Sequence, residues 1–186
     1  MKRFFELFFV FIIIPFIFIP FLLISLIIVL QNDGNILHWS KRVGKNDKIF
    51  MMPKFRTMKN NTPQLATHLL VNPKLYLTFS GNLLRKTSLD ELPQIFSVLA
   101  GHMTFVGPRP ALYNQYDLIE ARKENGVNCL KPGITGLAQI NGRDELTIIE
   151  KVKFDSLYLS NKSIFFDIKI IFLTLKKVIT NKNVSH

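Results

Sequence analysis

The sequence has 186 residues, 48% of them hydrophobic, and 24 Lys and Arg against 13 Asp and Glu give a formal net charge of +11. A single cysteine, Cys129, excludes a disulfide framework within the chain, which suits a cytoplasmic catalytic domain. A lone cysteine without a surrounding motif is more often a core residue than a nucleophile. The charged residues among 1–30 are Lys2, Arg3 and Glu6, with a net charge of +1, so the rest of the chain carries +10. This positive charge favours binding of nucleic acid, anionic lipid headgroups or phosphorylated substrates. The alternative is an ordinary solvated basic surface.

The N-terminal segment is a long apolar stretch. Residues 7–30 contain no charged side chain, and as a helix they would run roughly 36 Å, enough to cross a bilayer core. A secretory signal peptide fits less well, because its apolar region is shorter and no small-residue cleavage pattern follows here. Pro15 and Pro20 each remove a backbone donor, which predicts a kink near Pro20.

Basic residues on both sides of this stretch suit two ends on the cytoplasmic side. They are Lys2, Arg3, Lys41, Arg42, Lys45 and Lys48. A broken helix that enters and leaves on one face satisfies both the prolines and the charges, while a simple single span stays open. We therefore divide the chain into a re-entrant membrane helix at 1–33 and a cytoplasmic catalytic domain at 34–186.

The rest of the chain predicts one mostly helical α/β domain with a short β-hairpin. The predicted strands are 36–39 and 48–52, with a hairpin loop at 42–47. The predicted helices are 78–86, 88–100, 112–125 and 147–159. The predicted turns and Gly- or Pro-containing loops are 32–35, 59–74, 107–110 and 131–136.

The last apolar stretch, residues 164–179, also contains Asp167, Lys169, Lys176 and Lys177. It is too charged to span a bilayer. It fits an amphipathic helix at the membrane interface, with lysines toward the headgroups, or an ordinary helix packed on the core. The pattern alone favours the core-packing helix.

The pair Asp90-Glu91 is the strongest candidate for chemistry. Ser88 followed three residues later by Glu91 is a capping box, so these residues could do no more than begin a helix. In the functional interpretation, the positive end of the helix lowers the pKa of Asp90 and keeps it ionised. An ionised aspartate can attack phosphorus and form an acyl phosphate, while Glu91 orients groups or binds metal.

Phosphoryl transfer also needs cations around the transferred group. The candidates for binding phosphate are Lys54, Arg56, Arg85, Arg109 and Arg143. Arg109 lies between two prolines and loses little freedom on gripping a phosphate, although a surface arginine in a turn has the same pattern. No Walker-type phosphate loop is present, and the glycines of the 133–136 loop are only a weak signal for exposed backbone donors.

The histidines do not predict a metal centre. They stand at positions 38, 68, 102 and 186, and no pair has the spacing of metal ligands. A divalent ion held by carboxylates and substrate phosphates fits better, and magnesium suits that role.

Five ordered motifs together resemble the bacterial sugar transferases, the monotopic phosphoglycosyl transferases that begin lipid-linked glycan assembly. The motifs are Lys54-Phe55-Arg56-Thr57-Met58, Leu84-Arg85-Lys86-Thr87-Ser88-Leu89-Asp90-Glu91-Leu92-Pro93-Gln94, Phe105-Val106-Gly107-Pro108-Arg109-Pro110, Lys131-Pro132-Gly133-Ile134-Thr135-Gly136 and Asn141-Gly142-Arg143. The resemblance covers nearly the whole chain, and the length is similar to that of the minimal members, which lack extra N-terminal spans.

The resemblance implies a re-entrant helix and a catalytic domain on the cytoplasmic face of the bacterial inner membrane. It implies transfer of a sugar 1-phosphate from a UDP-sugar to undecaprenyl phosphate, with release of UMP, in the first membrane step of a glycan pathway. The implied route passes through an aspartyl phospho-sugar and uses magnesium. Asp90 would be the nucleophile and a metal ligand, Glu91 its acidic partner and Arg109 a phosphate contact. A homodimer and association with downstream glycosyltransferases stay open.

Two positions depart from the family pattern. The helix-breaking proline usually follows a serine, whereas Ile19 precedes Pro20 here, so Pro15 could share the kink. The family's Gly-Asp-Met is Gly101-His102-Met103 here, which leaves open a catalytically impaired scaffold that recruits glycosyltransferases. A nucleic-acid binder is disfavoured, because no reading element or basic aromatic groove is recognisable.

Overall fold

The computed structural model describes residues 2–31, 35–59, 62 and 72–180, and within them the chain is mostly helical with two small sheets. The α-helices are α1 (Lys2–Gln31), α2 (Phe79–Lys86), α3 (Gln94–Leu99), α4 (Tyr116–Glu124), α5 (Leu137–Asn141), α6 (Ile148–Asn161) and α7 (Ile164–Ile179). The strands are β1 (Leu37–Val43), β2 (Ile49–Phe55), β3 (Thr104–Val106) and β4 (Gly133–Thr135). Residues 32–34 of the predicted turn, most of the predicted loop at 59–74, His68 and His186 lie outside the described residues.

Helix α1 continues without interruption through Pro15 and Pro20. Within the described part of the chain, it alone is long and apolar enough to cross a membrane. One narrow face packs on the domain through Val10, Ile24 and Ile28, which are almost fully buried. The other faces leave most of their Phe, Ile and Leu side chains exposed, as expected for contact with lipid.

Both ends of α1 are fixed to the same domain. Near its start, the Arg3 guanidinium donates to the carbonyls of Val98 and Leu99 at 2.7 and 2.8 Å, which caps the C-terminus of α3. At its end, Gln31 Oε1 accepts hydrogen bonds from the backbone N–H and the hydroxyl of Ser80. The helix therefore extends along the domain and does not project away from it.

Strands β1 and β2 form the predicted antiparallel hairpin, and each is longer than predicted. Val43 pairs with Ile49 next to the turn, and Leu37 pairs with Phe55 at the open end. The turn uses left-handed backbone at Asn46 and Asp47, with φ of 54° and 60°, a conformation that Asn and Asp adopt more readily than most residues. The register carries the last residues of β2 into the centre of the domain.

The helix predicted at 88–100 is divided, which corrects the sequence interpretation. A short 3-10 turn covers Leu89–Glu91, and α3 begins only at Gln94. Pro93 between them lacks a backbone N–H and cannot continue a helical ladder from the preceding turn. Ser88 adopts a left-handed φ of 56°, so the chain turns sharply before the 3-10 turn begins.

The two Gly/Pro loops meet through the short parallel sheet of β3 and β4. Thr104 pairs with Gly133, and the Gly107 N–H donates to the Thr135 carbonyl at 2.9 Å. A Cβ atom at Gly133 or at Gly136 would collide with the backbone of Gly107. Glycine is required here because two backbones approach without room for side chains.

Helices α2, α4, α6 and α7 match their predictions more closely, whereas α5 was not predicted. The Thr78 side chain caps α2, and Thr147 and Glu150 form a capping box at the start of α6. Helix α4 begins at Tyr116, four residues later than predicted. Helix α7 has the predicted bounds and buries Ile170 completely.

Helix α7 also has a second apolar face that does not pack on the core. Phe165, Ile168, Phe172 and Leu175 are all more than half exposed. The two sequence interpretations of this helix are therefore each partly met, because one face packs on the core and another presents apolar surface suited to a membrane interface.

Candidate functional site

Asp90 and Glu91 are buried side chains on the short 3-10 turn. The predicted capping box is wrong, because the Ser88 side chain caps nothing and its hydroxyl instead accepts a long contact of 3.5 Å from Arg143. Arg143, like Ser88, has a left-handed backbone, with φ of 53°. Non-glycine residues in this conformation cost energy and cluster at functional sites.

Glu91 is the centre of a cluster of three cations. Its Oε1 atom lies 3.0 Å from Lys54 Nζ, 3.1 Å from an Arg109 nitrogen and 3.1 Å from an Arg143 nitrogen. Lys54 comes from β2, Arg109 from the loop after β3, and Arg143 from the turn after α5. The fold thus brings together three of the five predicted phosphate-binding residues around one carboxylate.

Electrostatics fix the charge state of Glu91. Burial alone raises its pKa, but the three cations outweigh burial and hold the pKa of the carboxyl well below its usual range. Glu91 is therefore ionised at neutral pH, and the cations around it outnumber its carboxylate. The surplus positive charge favours an anionic ligand such as a phosphate.

Asp90 has a different environment. Burial raises the pKa of Asp90, Lys54 lowers it, and the neighbouring Glu91 raises it again, with a net shift upward. Its Oδ1 atom is buried without a hydrogen-bond partner among the described residues. The predicted lowering of this pKa is wrong, since a single 3-10 turn supplies little helix dipole and desolvation dominates.

The other two predicted arginines lie around the cluster but not on Glu91. Arg85, in the last turn of α2, donates to the Thr57 hydroxyl at 2.9 Å and interacts electrostatically with Asp90. Arg56 donates to the Leu37 carbonyl at 3.3 Å, and its Nε atom is buried with no partner among the described residues. Arg85 therefore acts on Asp90 through charge, while Arg56 supports the hairpin.

A buried ion pair behind Arg109 holds its loop in place. Arg122 of α4 donates to Asp155 of α6 at 2.7 and 2.9 Å, and it also donates to the Arg109 carbonyl at 2.9 Å. Neither partner was a candidate from the sequence. The only available signal was an acid on α6 and a base on α4, far apart in the chain, and their pairing depends on the tertiary fold.

A cavity of about 290 Å³ opens beside the cluster. Glu91, Arg109 and Arg143 line one part of it, and apolar side chains of α1 and α7 line another. Both amide atoms of Gln139, in the same wall, are buried without a partner among the described residues. Sequence reasoning did not identify Gln139, whose only signal was its place two residues before Asn141-Gly142-Arg143.

The described residues contain no group of three His, Cys, Asp or Glu side chains that could hold a metal. Magnesium commonly binds through one or two carboxylates, substrate phosphates and water. Asp90 Oδ1 fits such a site, because it is buried and lacks another partner, whereas Glu91 is already engaged by cations.

Two sequence expectations concern residues away from the cluster. Cys129 is exposed, so the expectation of a core cysteine is wrong. His102 is also exposed and lies with its ring 5.6 Å from that of Phe50. Within the described residues it contacts neither Glu91 nor the cavity, so the departure from the family pattern lies outside the charged cluster.

Comparison with known proteins finds related sugar transferases. The chain is 40% identical to the galactosyl transferase CpsE of Streptococcus agalactiae over 167 residues, covering 83% of this chain and 37% of that protein. It is 43% identical to the UDP-glucose:undecaprenyl-phosphate glucose-1-phosphate transferase of Escherichia coli over 169 residues, covering 85% and 36% of the two chains. The chain thus spans little more than a third of these two relatives.

A shorter relative and a family model cover nearly the full chain. The uncharacterized sugar transferase EpsL of Bacillus subtilis is 35% identical over 184 residues, which are 99% of this chain and 90% of that one. The model described as bacterial sugar transferase matches residues 1–181. The motifs, the charged cluster and these matches together show that the chain belongs to the bacterial sugar transferase family.

Proposed function

We propose that this chain transfers a sugar 1-phosphate from a UDP-sugar to undecaprenyl phosphate, through a covalent intermediate on Asp90. The observation that carries the proposal is a buried carboxylate with an unpartnered oxygen, Asp90, next to an anion held by three cations. Related proteins are named as undecaprenyl-phosphate galactose phosphotransferase and glucose-1-phosphate transferase, which supports the donor and acceptor classes.

In the first half-reaction, an oxygen of Asp90 attacks the phosphorus that bears the sugar. A new bond forms between that oxygen and phosphorus, the bond to the bridging oxygen of UMP breaks, and UMP leaves with the electron pair. Lys54, Arg109 and Arg143 stabilise the negative charge that develops on the phosphoryl oxygens. Glu91 holds these three cations in position, as their shared partner.

In the second half-reaction, an oxygen of the lipid phosphate attacks the same phosphorus. The bond between phosphorus and Asp90 breaks, and the carboxylate is regenerated. In the first half-reaction, Asp90 would be the protein ligand of magnesium, which would supply charge neutralisation for the departing UMP. Burial keeps water away from Asp90, which limits hydrolysis of the intermediate.

The proposal places α1 in the cytoplasmic leaflet of the bacterial inner membrane as a re-entrant helix. Its exposed apolar faces favour lipid, and its two ends contact the same domain. A straight perpendicular span would put one end on the opposite side of the bilayer. The UDP-sugar and the domain would then share the cytoplasmic side.

The decisive measurement is UMP release from a panel of UDP-sugars by the purified chain in detergent with undecaprenyl phosphate. Wild-type protein should release UMP and carry a phospho-sugar on the peptide that contains Asp90. Asp90→Asn should reduce release by at least roughly 10³-fold, because the amide is a poor nucleophile. The matched control is Asp117→Asn, on the exposed side of α4, which should retain activity.

The assignment of the nucleophile fails if Asp90→Asn retains release at the control level. Absence of UMP release from every UDP-sugar by wild-type protein would contradict the proposed reaction as a whole.

A further inference from the structure

We infer that the cavity beside Glu91 is the entry channel for the lipid acceptor. The inference rests on the proposed function and adds to it a place for the second substrate. The first isoprene units would lie between α1 and α7, and the lipid phosphate would contact Lys177 and Arg143. Three observations carry this inference: the walls of the cavity, its relation to the membrane helix, and its charges.

The cavity joins the charged cluster to the membrane helix. Arg109 and Arg143 line it together with Glu91, and Ile13 and Ile17 of α1 line it as well. These two isoleucines are one helical turn apart and therefore project from the same face of α1. A ligand in the cavity would contact the membrane helix and the reactive centre together.

The adjacent face of α1 is exposed and apolar. Ile12 and Phe16, next to the two lining isoleucines, are 46% and 78% exposed. A polyprenyl chain could thus pass from the surrounding lipid to the cavity along continuous apolar surface. A UDP-sugar, polar along its whole length, gains little from such a wall, so the wall favours the lipid acceptor.

Lys177 supplies a charge at the α7 side of the cavity. It is half-buried beside Val178, which lines the same cavity, and it makes no ion pair among the residues that the structure describes. A partly desolvated ammonium group gains from an anionic partner. Together with Arg143, it provides the charge complement of a phosphate monoester whose alkyl chain leaves toward α1.

The first test compares two half-reactions in Lys177→Ala and a matched variant, Lys169→Ala. Lys169 lies on α7 and is exposed, so its loss changes the net charge equally without touching the cavity. Lys177→Ala should raise the KM for undecaprenyl phosphate on the order of tenfold. The rate of UMP release without lipid should change by a smaller factor. Lys169→Ala should change neither quantity.

The second test does not depend on turnover. A polyprenyl phosphate with a diazirine in its first isoprene unit should label peptides containing Ile13 and Ile17 or residues 174–178. Ile17→Trp, which narrows the cavity, should reduce this labelling several-fold. Excess phosphatidylglycerol should not compete for it, since a bulk headgroup site would bind both lipids.

Several results would overturn the channel. In Lys177→Ala, these are an unchanged KM for the lipid, or a loss of UMP release without lipid as large as the change in that KM. In the photolabelling experiment, they are labelling elsewhere in the chain, or labelling that phosphatidylglycerol abolishes. The experiments distinguish failure of the proposed reaction from failure of the proposed lipid channel. Wild-type protein that releases no UMP contradicts the reaction, whereas photolabelling still decides whether the cavity binds the lipid.

Discussion

Asp90 and Glu91 are adjacent and buried, yet their surroundings assign them opposite roles. Three cations meet one oxygen of Glu91, and this carboxylate is held as an anion that positions them. Asp90 has an unpartnered oxygen and a raised pKa, caused first by burial and opposed by Lys54. A poorly solvated carboxylate beside fixed cations suits a nucleophile more than a structural anion.

These environments predict a pH dependence for UMP release. In the proposed reaction Asp90 must lose its proton before it attacks, and its pKa lies above the ordinary aspartate value of 3.8. The rate should therefore fall as the pH is lowered through this raised pKa. Lys54→Met removes the largest cationic contribution that lowers the pKa, so the acid limb of the profile should move to higher pH.

The rate at the optimum should also fall in Lys54→Met, by roughly tenfold, because a charge-assisted contact to the phosphate is lost. The measurement is the pH profile of UMP release without lipid. Lys45→Met, at the turn of the same hairpin, carries the same charge change and should leave the acid limb in place. An acid limb that stays fixed or moves to lower pH in Lys54→Met would contradict the assignment to Asp90.

Among the elements, the short β3–β4 sheet positions two of the cations at the site. It joins the loop that presents Arg109 to the loop that leads into α5 and Arg143. Gly133 and Gly136 permit this contact because the backbone of Gly107 occupies the space of their missing side chains. The distance between the two arginines thus depends on glycine packing.

Gly133→Ala should separate these loops. The added methyl collides with the backbone of Gly107, and overpacking of this kind costs roughly 1–3 kcal/mol. UMP release should fall by at least roughly tenfold, since displacement of Arg109 weakens binding of the diphosphate. Thermal unfolding in detergent and the rate of UMP release are the two measurements.

Gly126→Ala is the control for this prediction. Gly126 has a positive φ of 68° but open space around its Cβ position, so the substitution adds backbone strain without a collision. It should lower stability by about 1 kcal/mol and leave UMP release unchanged. Equal rates for the two alanine variants would show that the glycine contact does not position the arginines.

The sequence predicted best those elements whose signals are local. The predicted helix starts at Thr78 and Thr147 and the predicted bounds of α7 lie close to those observed, and the structure shows a local side-chain cap at each threonine. Signals that depend on distant partners failed. Ser88 and Glu91 have the pattern of a capping box, but the carboxylate binds three distant cations instead.

The same limit applies to the site. Lys54, Arg109 and Arg143 were identified because several motifs occur in one order, and the fold brings them together. The pair of Arg122 and Asp155, the unpartnered amide of Gln139 and the half-buried Lys177 have no distinctive local pattern. Their significance depends on burial and on neighbours that only the tertiary structure supplies.

At the scale of the whole molecule, α1 combines an apolar surface compatible with a membrane and contacts with the domain at both ends. Lys2 forms a 2.8 Å ion pair with Asp167 of α7, and Gln31 binds Ser80 of α2. A helix of 30 residues is about 45 Å long, longer than the apolar core of a bilayer. In the proposed re-entrant arrangement, the contacts at both ends keep the two ends of α1 on the side of the membrane that carries the domain.

This arrangement predicts labelling from one side only. In a Cys129→Ser background, Phe4→Cys and Leu30→Cys place exposed thiols near the two ends of α1. A membrane-impermeant maleimide should label both in inverted inner-membrane vesicles and neither in intact spheroplasts. Lys41→Cys, on the exposed surface of β1, reports the side of the domain and should behave in the same way.

A single span predicts the opposite pattern, with one end labelled in spheroplasts and the other in vesicles. That result would require the contacts of Arg3 with α3 or of Gln31 with α2 to break in the membrane. If the start of α1 detached, the hydrogen bonds of Arg3 and the ion pair of Lys2 would be lost together, and Glu6, which accepts from Thr104, would lose its buried partner. The cost of leaving these polar groups unpaired near hydrocarbon favours the one-sided arrangement.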